Sequence, residues 1–218
     1  MDKMRFLYSK VGKAKYISHL DLMAAMRRAM LRAGVDLKYS EGFNPHPYMS
    51  VALPLQVGCG SLCELMDVRL EDGVQTDGIA DRINASMPEG LNIREVYTPA
   101  KKFNFLEWIG ISGRLYYDRG APADAVRRLA ERFAEDCIII SKKTKRGESN
   151  IDISPFIRDV SVTGDFEIMM SARISAQNPS LSPDNILNAL TGKYGDLAPD
   201  YADFIREGFY DSDMMIFR

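Results

Sequence analysis

The chain has 218 residues, of which 46% are apolar, 27% charged and 10% aromatic, values that exclude disorder, collagen-like repeats and a disulfide scaffold. The length fits one large domain or two small ones. A formal net charge of −2 excludes a uniformly basic nucleic-acid binder and leaves room for a local basic patch.

Met4, Phe6 and Tyr8 alternate with Arg5 and Leu7, the period-2 signal of a strand. After a loop with Lys10, Gly12, Lys13 and Lys15, the Ser18-x-x-Asp21 pattern caps a helix, on which Met23, Met26 and Met30 form one apolar stripe and which Gly34 ends. Val35, Leu37 and Tyr39 predict a strand, interrupted by the prolines at 45 and 47 and resumed at Met49, Val51 and Leu53. Glu64 to Leu70 alternates again. Thr76 to Met87 spaces Ile79, Ile83 and Met87 as a short helix, and Leu91 to Tyr97 reads as a strand. Strand, helix, strand, strand, helix, strand is the split βαβ plan of a ferredoxin-like domain.

Pro99 and the Lys101-Lys102 pair mark a linker. Beyond it, strands are predicted at 109–117, at Cys137 to Ser141 as a buried type, at Phe166 to Ile174 and at Phe204 to Tyr210. Helices are predicted from Pro122 and from Ser182-Pro183, with Lys142 to Asn150 a polar excursion. The expected fold is α+β: two tandem ferredoxin-like domains, 1–98 and 108–218, joined by a 99–107 linker.

Charge is uneven. Residues 1–40 hold nine Lys/Arg against three Asp/Glu, and residues 41–100 the reverse, three against nine. Of the two histidines, His19 follows Ser18 in the first turn of the first helix, where free amides suit a phosphate. His46 sits between Pro45 and Pro47, whose fixed φ angles hold a loop stiff. The alternative for both is a buried turn in which they bond neighbouring carbonyls. Lys13, Lys15, Arg27, Arg28 and Arg32 are candidates for phosphate contact, with Gly42, Phe43, Asn44, Pro45, His46 and Pro47 as a specific surface. Of the aromatics Tyr8, Tyr16, Tyr39, Phe43 and Tyr48, at most three are expected outside the core. Lys142, Lys143, Lys145 and Arg146 form the densest basic run, at a hairpin tip, where it contacts phosphate or guards a sheet edge.

Cys59 and Cys63 are four apart and Cys137 is remote, so the chain holds no iron–sulfur cluster or zinc of its own, and no cofactor is expected. Cys59, in a Gly-Cys-Gly turn, reads as an exposed thiol. Three cysteines make no disulfide framework, no apolar run reaches the roughly 18 residues of a membrane span, and MDKMRFLYSK lacks a signal-peptide core, so a cytoplasmic location without a membrane partner is expected.

Lys15 to Met23, Arg27-Arg28, Arg32 to Gly34, Tyr39 to Pro47 and Ala52 to Gly58 together resemble the radical SAM-linked family of uncharacterised bacterial proteins. That resemblance implies a radical SAM protein with a cobalamin-binding-like region as partner, and implies no reaction. More distantly, the plan is similar to the CRISPR repeat-processing endoribonucleases, which use two ferredoxin-like domains without metal and often place a histidine where His19 falls.

The leading expectation is an accessory protein, without catalysis of its own, that binds RNA or a ribonucleoprotein beside a radical SAM enzyme. One alternative is a metal-independent ribonuclease using His19 and His46 as acid and base. Another is a docking module that meets the radical SAM partner through an acidic 64–81 face, with Glu64, Asp67, Glu71 and Asp72 as its test positions, and with no nucleic-acid contact.

Overall fold

A computed structural model describes residues 3–144, 147–165 and 167–218. The chain divides into two compact units, one running through Phe105 and including Arg218, the other Leu106–Phe217. Each is α+β, as expected.

In the first unit, β1 (Lys3–Lys10) leads through a 3-10 turn, Gly12–Tyr16, into α1 (His19–Arg32). Then come β2 (Met49–Val51), β3 (Gly60–Arg69), α2 (Ile79–Asn84) and β4 (Leu91–Tyr97). Its strands lie in the order β4-β1-β3-β2, every neighbouring pair antiparallel. The Ser18 hydroxyl accepts from the Asp21 amide at 3.1 Å, the cap that Ser-x-x-Asp predicts. Leu22, Met26, Ala29 and Met30 line the buried face of α1 and meet Phe6, Tyr8, Met66, Val68, Ile79 and Ile83 in one core. Each fully buried methionine or leucine there contributes about 1.5–3 kcal/mol.

Side chains alternate along a strand, so β1 and β3 turn their remaining residues to the other face of the sheet. That face carries a buried charge pair. Arg5 Nε and Nη2 donate to the two carboxylate oxygens of Asp67 at 2.7 and 3.0 Å, and Lys3 Nζ lies 2.8 Å from the same carboxylate. Arg5 Nη2 also donates to the Lys101 carbonyl at 2.9 Å, and the Phe103 ring stacks 4.3 Å from the guanidinium. The stretch read as a linker is thereby fastened to this unit as far as Phe103.

The second unit is built from β5 (Trp108–Tyr116), α3 (Ala125–Phe133), β6 (Ile139–Thr144), β7 (Gly147–Asp152), β8 (Ile157–Thr163), β9 (Ile168–Ser175), α4 (Pro183–Asn188) and β10 (Tyr201–Tyr210). Four strands lie in the order β10-β5-β9-β8, again all antiparallel, and β6 and β7 form a separate hairpin. Gly113 admits the Phe204 ring of the neighbouring strand, which would stand 2.3 Å from any Cβ at that position.

Several expectations need correction. Val35 to Tyr39 is no strand but two isolated bridges, Leu37 with Leu70 and Tyr39 with Pro47. Cys137 is exposed and lies outside β6, while Cys59 is buried with its thiol donating to the Gly60 carbonyl. The 142–150 excursion is mostly paired strand, and β8 stands where no strand was predicted. Phe166, expected to open a strand, lies outside the described residues. No helix among the described residues is long and apolar enough to cross a membrane.

Two stability experiments test this packing. Asp67→Ala leaves the Arg5 guanidinium buried without its carboxylate and should cost about 3–5 kcal/mol, read by chemical denaturation. In the second unit, the Tyr117 phenol donates to the Leu197 carbonyl at 2.8 Å, and burial, helped by Asp200, pushes its pKa up to about 12. The unfolded phenol ionises near 10 while the folded one holds its proton. The stability advantage of wild type over Tyr117→Phe should therefore be full below pH 10 and decline as pH rises toward 12.

Candidate functional site

The basic residues near the amino terminus are held by a buried lysine. Lys10 points inward, and its ammonium donates to the Ile17 carbonyl at 3.0 Å and reaches the Lys15 carbonyl at 3.5 Å. Burial lowers its pKa, while Glu64 and then Cys59 raise it in opposition. The 3-10 turn is seated from its other side by Gly90. At φ +86° this glycine accepts the Val11 amide at 2.8 Å, and a Cβ there would stand 2.3 Å from the Val11 carbonyl oxygen. Lys13 is thus presented to solvent, and Lys15 is half-buried with its ammonium 5.4 Å from the Tyr16 ring centre.

Along α1 the buried face fixes the rest. His19, Arg27, Arg28 and Arg32 all lie on its exposed side. Arg32 donates to the Ser86 carbonyl at 3.3 Å, whereas Arg27, Arg28 and Lys13 make no ion pair among the described residues. Asp21 is the one acid on the helix.

The Gly42–Pro47 segment is an exposed loop closed by its own polar contacts. The Ser40 amide donates to the His46 carbonyl at 2.9 Å, the His46 amide donates to Ser40 Oγ at 3.1 Å, and that hydroxyl lies 2.9 Å from His46 Nδ1. Gly42, at φ +116°, turns the chain, and Phe43 projects fully into solvent. Tyr16, Tyr39 and Tyr48 are exposed as well, so four of the five aromatics lie outside the core and only Tyr8 is inside. The expectation of at most three fails because these rings sit on loops and turns, where strand alternation does not bury them. The two histidines are exposed, and among the described residues no hydrogen bond joins them.

In the second unit Lys142 is half-exposed and donates to the Ser180 carbonyl at 2.7 Å. Lys143 lies in β6, and Lys145 and Arg146 lie outside the described residues. The acidic 64–81 face loses two of its four named acids, because Glu64 and Asp67 are buried while Glu71 and Asp72 reach the surface.

A second basic cluster escaped sequence reasoning. Lys3, Lys38, Arg69, Lys101 and Lys102 surround a pocket of about 690 Å³ in the first unit. The Lys101-Lys102 pair was its one visible signal, and it read as linker.

What these units define is a two-part α+β protein whose first part presents cations and aromatics on ordered backbone. The chain belongs to the family described as an uncharacterized protein conserved in bacteria, DUF2344, which it matches over residues 3–183. No curated protein matches it. Among solved structures it is similar to a chain of a Cbf5–Nop10–Gar1 complex, at 11% identity and a TM-score of 0.47 over 93% of this chain. It spans 47% of that chain's length. It is also similar to an unknown protein from Galdieria sulphuraria, at 9% identity and a TM-score of 0.26, covering 94% of this chain and 96% of the other.

The cap at the head of α1 gives a direct test. Ser18→Ala removes the acceptor for the Asp21 amide and should cost about 1 kcal/mol in denaturant unfolding. His19→Ala, one residue on and solvated, should change stability by less than about 0.5 kcal/mol.

Proposed function

We propose that the chain is an accessory RNA-binding protein, built from two ferredoxin-like domains at 1–98 and 108–218, that works beside a radical SAM protein in the cytoplasm. The observation that carries the RNA reading is the outer face of α1, where Arg27 and Arg28 stand exposed with no acidic partner among the described residues. Lys13 and Arg32 extend that charge, while Tyr16 and Phe43 offer exposed rings in the same unit. Cations beside exposed rings suit unpaired nucleic acid, whose phosphates attract the charge and whose bases stack. His19 at the capped end of α1 and the His46 loop contribute contacts rather than chemistry. The domain reading is supported by the shared strand order of the two units, each with its first strand central and its last at one edge. The radical SAM partnership rests on the motif resemblance between Lys15 and Gly58.

Fluorescence anisotropy with a labelled structured RNA, at 50 mM and 200 mM salt, tests this reading. Wild type should bind in a salt-dependent way, and Arg27→Ala/Arg28→Ala should bind more weakly, its salt slope smaller by roughly 0.7–0.9 for every phosphate that is no longer neutralised. Unchanged affinity in the double variant, or no binding at 50 mM salt, overturns it. Discrete cleavage that disappears in His19→Ala/His46→Ala would replace it with the ribonuclease reading. Co-purification with a co-expressed radical SAM protein tests the partnership, and its absence overturns that part of the reading.

A further inference from the structure

The pocket in the first unit gathers its cations from four separate stretches of chain: Lys3 from β1, Lys38 from the bridge segment after α1, Arg69 from the end of β3, and Lys101 with Lys102 from the stretch after β4. Their convergence is made by the fold, not by a local run of basic sequence. The walls are built before any ligand arrives. The Lys38 amide donates to the Arg69 carbonyl at 2.9 Å, the Arg69 amide to the Tyr48 carbonyl at 3.0 Å, and the Tyr48 amide to the Lys38 carbonyl at 2.9 Å. Arg69 lies over the Tyr48 ring at 4.9 Å, and Arg5 ties down the opposite wall through the Lys101 carbonyl.

Two carboxylates meet this cluster among the described residues. Asp67 is already engaged by Arg5 and Lys3, and Asp72 is exposed and 3.9 Å from Lys38. Five cations, Lys3, Lys38, Arg69, Lys101 and Lys102, line the pocket among the described residues. Arg69 and Lys102 make no ion pair among the described residues. A cavity of about 690 Å³ falls within the range of small-ligand sites, roughly 300–1,000 Å³. Charge gathered so tightly in a concavity matches an anion whose charge is equally compact. Arginine and lysine are the side chains that recognise phosphate oxygens.

We propose that this pocket binds a compact oligophosphate group, carried by a free nucleoside triphosphate or by the 5′-triphosphate end of an RNA. The site is distinct from the α1 face and shares none of its cations, so the two readings stand or fall separately.

Isothermal titration calorimetry of the full chain with inorganic triphosphate, at 50 mM salt, tests it. One-to-one binding is expected, weakened at least tenfold in Lys38→Ala/Arg69→Ala/Lys102→Ala and unchanged in Arg27→Ala/Arg28→Ala. Circular dichroism checks the fold of the triple variant; should it be lost, Lys102→Ala alone must weaken binding at least threefold. No binding, more than one site per chain, insensitivity to the pocket substitutions, or equal loss in the α1 variant overturns the proposal. Competition by a nucleoside triphosphate assigns the free ligand, and competition only by a 5′-triphosphate oligoribonucleotide assigns the strand end. Equal competition by the 5′-hydroxyl oligoribonucleotide overturns the preference for clustered phosphates. Triphosphate binding alongside unchanged RNA affinity in Arg27→Ala/Arg28→Ala would remove the α1 reading alone.

Discussion

The buried pairing of Arg5 with Asp67 organises the first unit. The two residues are direct cross-strand partners on β1 and β3, and their side chains are fully withdrawn from water. Such a pair is costly to desolvate, and an apolar pair of similar size would serve stability as well or better. What an ion pair adds is intolerance of error. A strand that slipped by two residues would keep its apolar faces inward but would bury Arg5 and Asp67 without each other. The register so fixed sets Lys3 opposite Arg69, and the guanidinium's further bond to Lys101 brings the stretch after β4 onto the same face.

How readily each element shows in the sequence follows from how locally it is determined. For α1 the cap, the apolar stripe and the terminal Gly34 all lie within 17 residues of chain, and the helix is found where they predict it. Membership in an uncharacterised bacterial family was legible too, from motifs between Lys15 and Gly58. The strand β8 was not, for a physical reason. Its pairing with β9 shifts register between Arg158 and Ser161, and Asp159 takes φ +51°, so the alternation that announces a strand is broken at its centre. The Val35–Tyr39 alternation is genuine, since Val35 and Leu37 are buried, yet the chain leaves the sheet to form the Ser40–His46 loop before a ladder can grow.

The α1 cations were legible because helix periodicity separates their face from the core. The pocket cations were not, since they are spread from Lys3 to Lys102, and Arg69 lies in the stretch where acids outnumber bases by nine to three. Summing charge along the chain hides any cluster assembled from distant segments. The same blindness produced the acidic face that the fold depletes: Glu64 and Asp67 add to a linear count of acids while being engaged inside the unit by neighbouring cations.

The capture of the Lys15 and Ile17 carbonyls by Lys10 makes its amine a concealed chemical handle. Lys13, a few residues along the chain, is open to any amine-reactive reagent at all times, whereas Lys10 becomes reactive only when the turn between β1 and α1 lifts away. The ratio of their labelling rates is therefore a clock for that local opening, readable by mass spectrometry without altering a single residue.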